Sequence, residues 1–191
     1  MTSERSEAVS VLLHVVDVLD RLRIPYHVGG SFASSVHGTP RQTQDVDIVV
    51  DLAPSAVDDL VEAFSGDFYA DAGAARDAIR ERSTFNLIHF GTGMKIDFFL
   101  LGTTPFDRSE FERGRLENIG VGTDRPVRIK SAEDTILRKL RWYRDGGEMS
   151  DRQWTDVVGI VRAQGERLDH PYLEYWAGEL GVRDLLARLM T

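Results

Sequence analysis

The sequence predicts an α/β (α+β) chain: a small mixed β-sheet with flanking helices over residues 1–130, followed by a helical subdomain over 131–191 packed on that core. Three observations predict it. Up to Lys130, short β-branched and aromatic runs alternate with helical periodicities. After Lys130 every periodicity is helical. The length, 191 residues of which 42% are hydrophobic, supplies one good-sized core with material left for an appended helical layer.

The elements follow in order. Val11, Leu12, Val15, Val16, Val18, Leu19 and Leu22 recur at helical spacing and predict a helix over Ala8 to Leu22, stopped by Ile24-Pro25. "YHVGG" reads as a short strand entering a glycine turn, and Ser31 to Val36 as a short helix that starts directly after it. "DVDIVVD" is a strand by β-branched content. Pro54 to Phe64 reads as a helix, Asp67 to Tyr69 as a short strand and Ala74 to Glu81 as another short helix. "TFNLIHF" and "MKIDFFL" are strands joined by Gly91-Thr92-Gly93, which suits a hairpin. "LENIGV" and "VRIK" flank the turn signal Gly122 to Pro126. Ser131 with Asp134, and Ser150 with Gln153, have capping-box-like spacing ahead of two amphipathic helices, and Gly146-Gly147 and Gly165 stop them. Two shorter helices, near Pro171 to Ala177 and Val182 to Met190, end the chain.

Composition excludes several classes. No apolar run approaches the roughly 20 residues of a membrane-spanning helix, and the polar start MTSERSEAVS has no signal-peptide h-region. The expected location is therefore the cytoplasm, with no membrane partner. The absence of cysteine removes disulfides, thiolate nucleophiles and cysteine zinc sites. The net charge of -8 is uneven: residues 1–75 hold 4 Lys/Arg against 12 Asp/Glu, and residues 76–191 hold 19 of each. Extended nonspecific grip on nucleic acid is therefore not expected, although a local basic strip could guide a polyanion.

Two carboxylates in an apolar strand need a reason. Side chains alternate along a strand, so Asp45, Asp47, Val49 and Asp51 share one face while Val46, Ile48 and Val50 make an apolar core face. The same count on "MKIDFFL" puts Met94, Ile96, Phe98 and Leu100 on one face and Lys95, Asp97 and Phe99 on the other. If these strands are neighbours, three acids converge on the face the core does not use. Three such charges need raised pKa values or a cation, and an oxygen donor set favours Mg²⁺ or Mn²⁺ over zinc. Upstream, Gly29, Gly30 and Ser31 let backbone N–H groups at a helix start approach a phosphate. The alternative for each acid is an ordinary solvated side chain, with Asp97 a partner of Lys95.

These residues resemble the motif of the nucleotidyltransferase superfamily related to DNA polymerase β. The parts are Val28, Gly29, Gly30, then Asp45, Val46, Asp47, and later Asp97; the spacer from Ser31 to Gln44 is longer than the family's usual one. The runs "HGTPRQTQDVDIVV" and "SAEDTILRKLRWYRDGG...DRQWTDVVGIV" look like the bacterial branch of minimal nucleotidyltransferases and AbiEii-type toxins. The resemblance implies transfer of a nucleoside monophosphate from an NTP to a hydroxyl of RNA, protein or a small molecule, with release of pyrophosphate. It implies two Mg²⁺ (or Mn²⁺) ions held by Asp45, Asp47 and Asp97, Asp97 taking the acceptor's proton, and a toxin role with an antitoxin partner. The alternative is a noncatalytic nucleotide-binding or interaction module on the same fold.

Other residues carry weaker signals. Arg41 and Thr43 precede the acidic strand, where the guanidinium could reach phosphate or offset the acids; an ordinary loop arginine is the other reading. Lys139 matches the family lysine that faces the triphosphate. Its neighbours Arg138, Arg141 and Arg144 suggest instead a solvated basic face and, with Arg128 and Lys130, an RNA-facing strip. Asp156 is expected in a structural salt bridge, His37 in packing, and the C-terminal Trp and Tyr residues between helices.

Overall fold

The computed structural model describes residues 2–41, 43, 45–119 and 124–190, with side chains from residue 7 onward. Gly120 and Val121, at the end of one predicted strand, and Gly122 and Thr123 of the turn after it lie outside the described residues, as does Gln44. The helix predicted from Ala8 extends back to Thr2 as α1 (Thr2–Arg21). Then come β1 (Tyr26–Val28), α2 (Gly30–His37) and β2 (Asp45–Val50). A 3₁₀ turn over Pro54–Ala56 precedes α3 (Val57–Phe64), so the helix predicted from Pro54 has a tightened first turn. Next are β3 (Phe68–Tyr69), α4 (Ala72–Glu81), β4 (Thr84–His89) and β5 (Lys95–Leu100).

One element has no counterpart among the predicted ones. α5 (Pro105–Glu112) starts on a full capping box, in which Thr104 accepts from the Asp107 N–H and the Asp107 carboxylate accepts from the Thr104 N–H, with Pro105 inside the first turn. β6 (Arg115–Asn118), β7 (Pro126–Ile129), α6 (Ala132–Asp145), α7 (Asp151–Gln164), α8 (His170–Glu179) and α9 (Arg183–Met190) complete the chain. Ser131 and Ser150 cap α6 and α7 as their spacing predicts.

The strands form one mixed sheet in the order β3-β4-β5-β2-β1-β7-β6. β2 lies parallel to β5 and antiparallel to β1, and β1 lies parallel to β7. β4 and β5 make the predicted hairpin. Val46, Ile48, Val50, Ile96 and Phe98 point to one face and pack, fully buried, with α1 residues Leu12, Val15, Val16 and Leu19. Apolar burial of this kind contributes roughly 1.5–3 kcal/mol per large side chain. A second apolar cluster joins α6 to α9 through Ile136, Leu137, Leu140, Ile160, Leu173 and Leu186, and α5 contributes Phe106 to it. Among the described residues no helix is long and apolar enough to cross a membrane.

Between the clusters runs a buried ionic seam. Lys130 pairs with Glu110 at 3.0 Å, and Arg138 bonds to both Glu110 and Asp107 at 2.7 Å while its guanidinium lies over the Phe106 ring. The predicted RNA-facing strip is thereby corrected at Lys130 and Arg138. Lys130 is buried, Arg138 is committed to two α5 carboxylates, Arg141 pairs with Asp145, Arg144 with Asp184, and Arg128 donates to the Glu112 carbonyl.

His27 sits beside this seam on β1, fully buried against Phe111, and neither ring nitrogen has a hydrogen-bond partner among the described residues. Burial, then the cations Lys130, Arg128 and Arg138, hold its pKa well below the ordinary imidazole value. The unfolded chain therefore binds a proton near pH 6.5 that the native state refuses, and stability is lost as pH falls below about 6.5. His27→Leu is expected to raise stability by about 1 kcal/mol at neutral pH and to flatten the decline between pH 7 and 5. Thermal melts across that range check it; an unchanged acid decline refutes it.

Candidate active site

The glycine pair meets the acidic strand at the start of α2. The Gly29 N–H donates to the Asp47 carbonyl at 2.8 Å, so β1 delivers the turn directly onto β2. Gly30 has φ +53, and a Cβ there would lie 1.6 Å from Asp47 Oδ2. The missing side chain is the space the Asp47 carboxylate occupies. That carboxylate also accepts from the Ser31 N–H in the first turn of α2. Gly30→Ala is therefore expected to push Asp47 out of place and to cost about 1–3 kcal/mol. The checks are a melt and a nucleotide titration; a variant with wild-type nucleotide affinity refutes the tight fit.

The strands place the acids as the alternation predicts. Asp47 stands directly opposite Asp97 across the parallel β2–β5 pair, and Asp45 stands opposite Lys95. Each carboxylate has its own holder. Thr43 Oγ1 donates to Asp45 Oδ1 at 2.6 Å, and Lys95 Nζ reaches both Asp97 oxygens at 2.7 and 3.0 Å. The Lys95–Asp97 pair weighed as the alternative thus exists, on the same face as the other acids. Among the described residues no three His, Asp or Glu side chains are drawn together into a ready metal cage. Asp47 nevertheless feels its neighbours: burial first, then the charges of Asp45 and Asp97, raise its pKa against the opposing pull of Lys139 and the Ser31 N–H.

A cationic group backs the glycine turn. Arg41 donates from Nε and Nη2 to the two oxygens of Asp156, both at 3.0 Å, and Nη2 also donates to Ser31 Oγ. Lys139 Nζ donates to Asp156 at 2.9 Å and to Gln153 Oε1 at 3.0 Å. Lys139 is 4% exposed, so it is a buried ammonium aimed toward the acids and not part of a solvated basic face. Burial lowers its pKa, against Asp156, which raises it. Burial alone would raise the Asp156 pKa, but the bonds from Arg41 and Lys139 outweigh it and hold the carboxyl below the usual range. The salt bridge expected of Asp156 is therefore present, and it holds two cations.

α2 is fixed from behind. A Cβ on Gly38 would lie 2.8 Å from the Ile160 nitrogen of α7, so helix and turn touch backbone to backbone. His37 Nε2 bonds to the Lys130 carbonyl at 2.7 Å, the packing role expected of it, and Gln164 donates to the His37 carbonyl. Gln153 and the Lys130 stem, whose Cε lies 3.5 Å from a Cβ on Gly29, are further site neighbours, and the sequence marks Lys130 only as part of a basic strip. Gln153 was visible only as a helix cap.

No family model matches the sequence, and no curated protein matches it. Solved structures do. The antibiotic-resistance factor ANT(2'')-Ia, in its crystal structure with adenylyl-2''-tobramycin, superimposes with a TM-score of 0.60 at 14% identity, covering 93% of this chain and 98% of that one. Its solution structure gives 0.59 and covers 98% and 97%. The fold is that of the nucleotidyltransferases. A nucleotidyltransferase-like protein from Paracoccidioides brasiliensis agrees, with a TM-score of 0.57 at 18% identity over 98% of this chain and 93% of that one. The nucleotidyltransferase fold accounts for the mixed sheet and for the helical layer behind the glycine turn.

Proposed function

We propose that this chain is a cytoplasmic nucleotidyltransferase that moves a nucleoside monophosphate from an NTP to a hydroxyl acceptor. One observation carries the proposal: Asp47 faces Asp97 across adjacent parallel strands, directly beside the N-terminus of α2 and its side-chain-free Gly30. A strand pair that only filled a core would not oppose two acids and then add a third, Asp45, two residues away.

The donor set fits a hard divalent cation. Mg²⁺ takes one or two carboxylates and completes its shell with water and substrate phosphate, so no closed cage is needed. Asp45 and Asp47, with Asp97, would hold Mg²⁺ or Mn²⁺, as a pair of ions when nucleotide is bound. Such ions polarise an acceptor hydroxyl and neutralise a leaving pyrophosphate. The chain's own groups do the rest. The N–H groups at the start of α2, with Ser31 Oγ, Arg41 and Lys139, meet the phosphates and fix the α-phosphorus for in-line attack. The acceptor oxygen bonds to that phosphorus as its bond to the bridging oxygen of the β-phosphate breaks. The hydroxyl proton passes to Asp97, and pyrophosphate leaves.

The acceptor is better sought among small molecules than RNA, because the arginines and lysines of the predicted strip are engaged by carboxylates or carbonyls. ANT(2'')-Ia, whose crystal structure contains adenylyl-2''-tobramycin, has this overall fold. The toxin role, the AbiEii-type branch and an antitoxin partner rest on the sequence resemblance alone. The test is incubation with Mg²⁺ and each α-labelled NTP, alongside calorimetric titration of the nucleotide. Magnesium-dependent binding and label transfer are expected; nucleotide binding without Mg²⁺ and without turnover would identify a noncatalytic module instead.

A further inference from the structure

We propose that the acceptor is an amphipathic small molecule bound in the cavity beside Asp45, an assignment that rests on the transfer function above. The cavity has a volume of about 750 Å³ and lies between the first described turns of α1, the outer face of α2, the β4–β5 turn and the start of α7. That volume falls in the range that takes up most of a drug-sized ligand.

Its lining mixes two chemistries. Phe32, Val36 and Met94 are half-buried, packed on the sheet core and also lining the cavity. They offer apolar surface to an occupant with an apolar body. Thr43 and Asp45, joined by the 2.6 Å hydrogen bond, line it as well. Asp45 is both a wall of the cavity and the first residue of the acidic strand. An occupant's hydroxyl at that end lies next to the acids.

Charge does not select the occupant. The lining carries two carboxylates, Glu7 and Asp45, and two guanidinia, Arg41 and Arg152, and is balanced. An occupant is therefore chosen by its apolar body and its hydroxyl, not by a net charge.

The test uses octyl β-D-glucoside below its micellar concentration, a neutral probe with hydroxyls and an apolar tail. Calorimetric titrations follow the probe and, separately, Mg·ATP. Val36→Trp fills the cavity from α2, and Ala8→Trp fills it from the partly exposed side of α1 should the first variant fail to fold. Wild type is expected to bind the probe saturably. Either folded variant should weaken it by about tenfold or more while keeping its Mg·ATP affinity. Probe binding that is absent in wild type, or equal in a folded variant, overturns the assignment. Probe binding that persists where Mg·ATP does not bind supports the cavity and removes the transfer function; the reverse removes the cavity and leaves transfer standing.

Discussion

Asp47→Asn is expected to lower nucleotidyl transfer about a thousandfold while making the free protein more heat-stable at neutral pH. Both effects come from one cause. Burial and the facing charges of Asp45 and Asp97 raise the Asp47 pKa, so the ionised carboxylate is held in the fold at a cost. The sign follows from linkage. With the folded pKa above the unfolded one, ionised Asp47 destabilises the native state at neutral pH, and that penalty fades as pH falls through the folded pKa. Asparagine removes the charge and can still accept from the Ser31 N–H. The melting temperature of the variant should therefore exceed that of wild type at pH 7 and converge with it in acid. A variant that melts lower at pH 7, or transfers label like wild type, contradicts this account.

Asp156→Ala should have the largest effect on stability, about 3–5 kcal/mol. The carboxylate is 8% exposed and holds Lys139 and Arg41 together. Its removal leaves a buried ammonium with, among the described residues, only Gln153 as hydrogen-bond partner and releases the guanidinium from its two-pronged grip. Because the Asp156 pKa is held low in the fold, its contribution is present above the ordinary carboxyl value of about 3.9 and is lost as pH falls through the folded value. The gap between variant and wild type should therefore close in strong acid. Adding Lys139→Met should restore part of the lost stability by removing the unpaired charge, yet leave nucleotide affinity low. Recovery of both would make Asp156 and Lys139 a purely structural pair.

The acidic face was readable because it depends on local alternation. Asp45, Asp47 and Asp97 needed only a period of two to be assigned to the faces they occupy, and the β-branched run that carries two of them fixed the other face as core. The adjacency of β2 and β5 is a nonlocal fact that alternation leaves open. α5 went unread although Thr104, Pro105 and Asp107 spell a helix start, because its buried side includes Glu110, a residue type that ordinarily signals solvent. The basic strip failed for the same reason. Arg138 and Lys130 look solvated in sequence, and their partner Glu110 lies 28 and 20 positions away from them.

The pairing of Arg41 with Asp156 has a consequence for exchange of parts. The acids belong to the first 97 residues, yet the Arg41 guanidinium beside them is aimed by a residue of α7 and the nearby ammonium belongs to α6. A chimera that keeps residues 1–130 and borrows helices from another protein would inherit the acids but not the aim of Arg41. Only donors bringing equivalents of Lys139, Gln153 and Asp156 could reconstitute it. The outer surfaces of α8 and α9 are free to diverge, whereas the inner edges of α6 and α7 are tied to the turn they face.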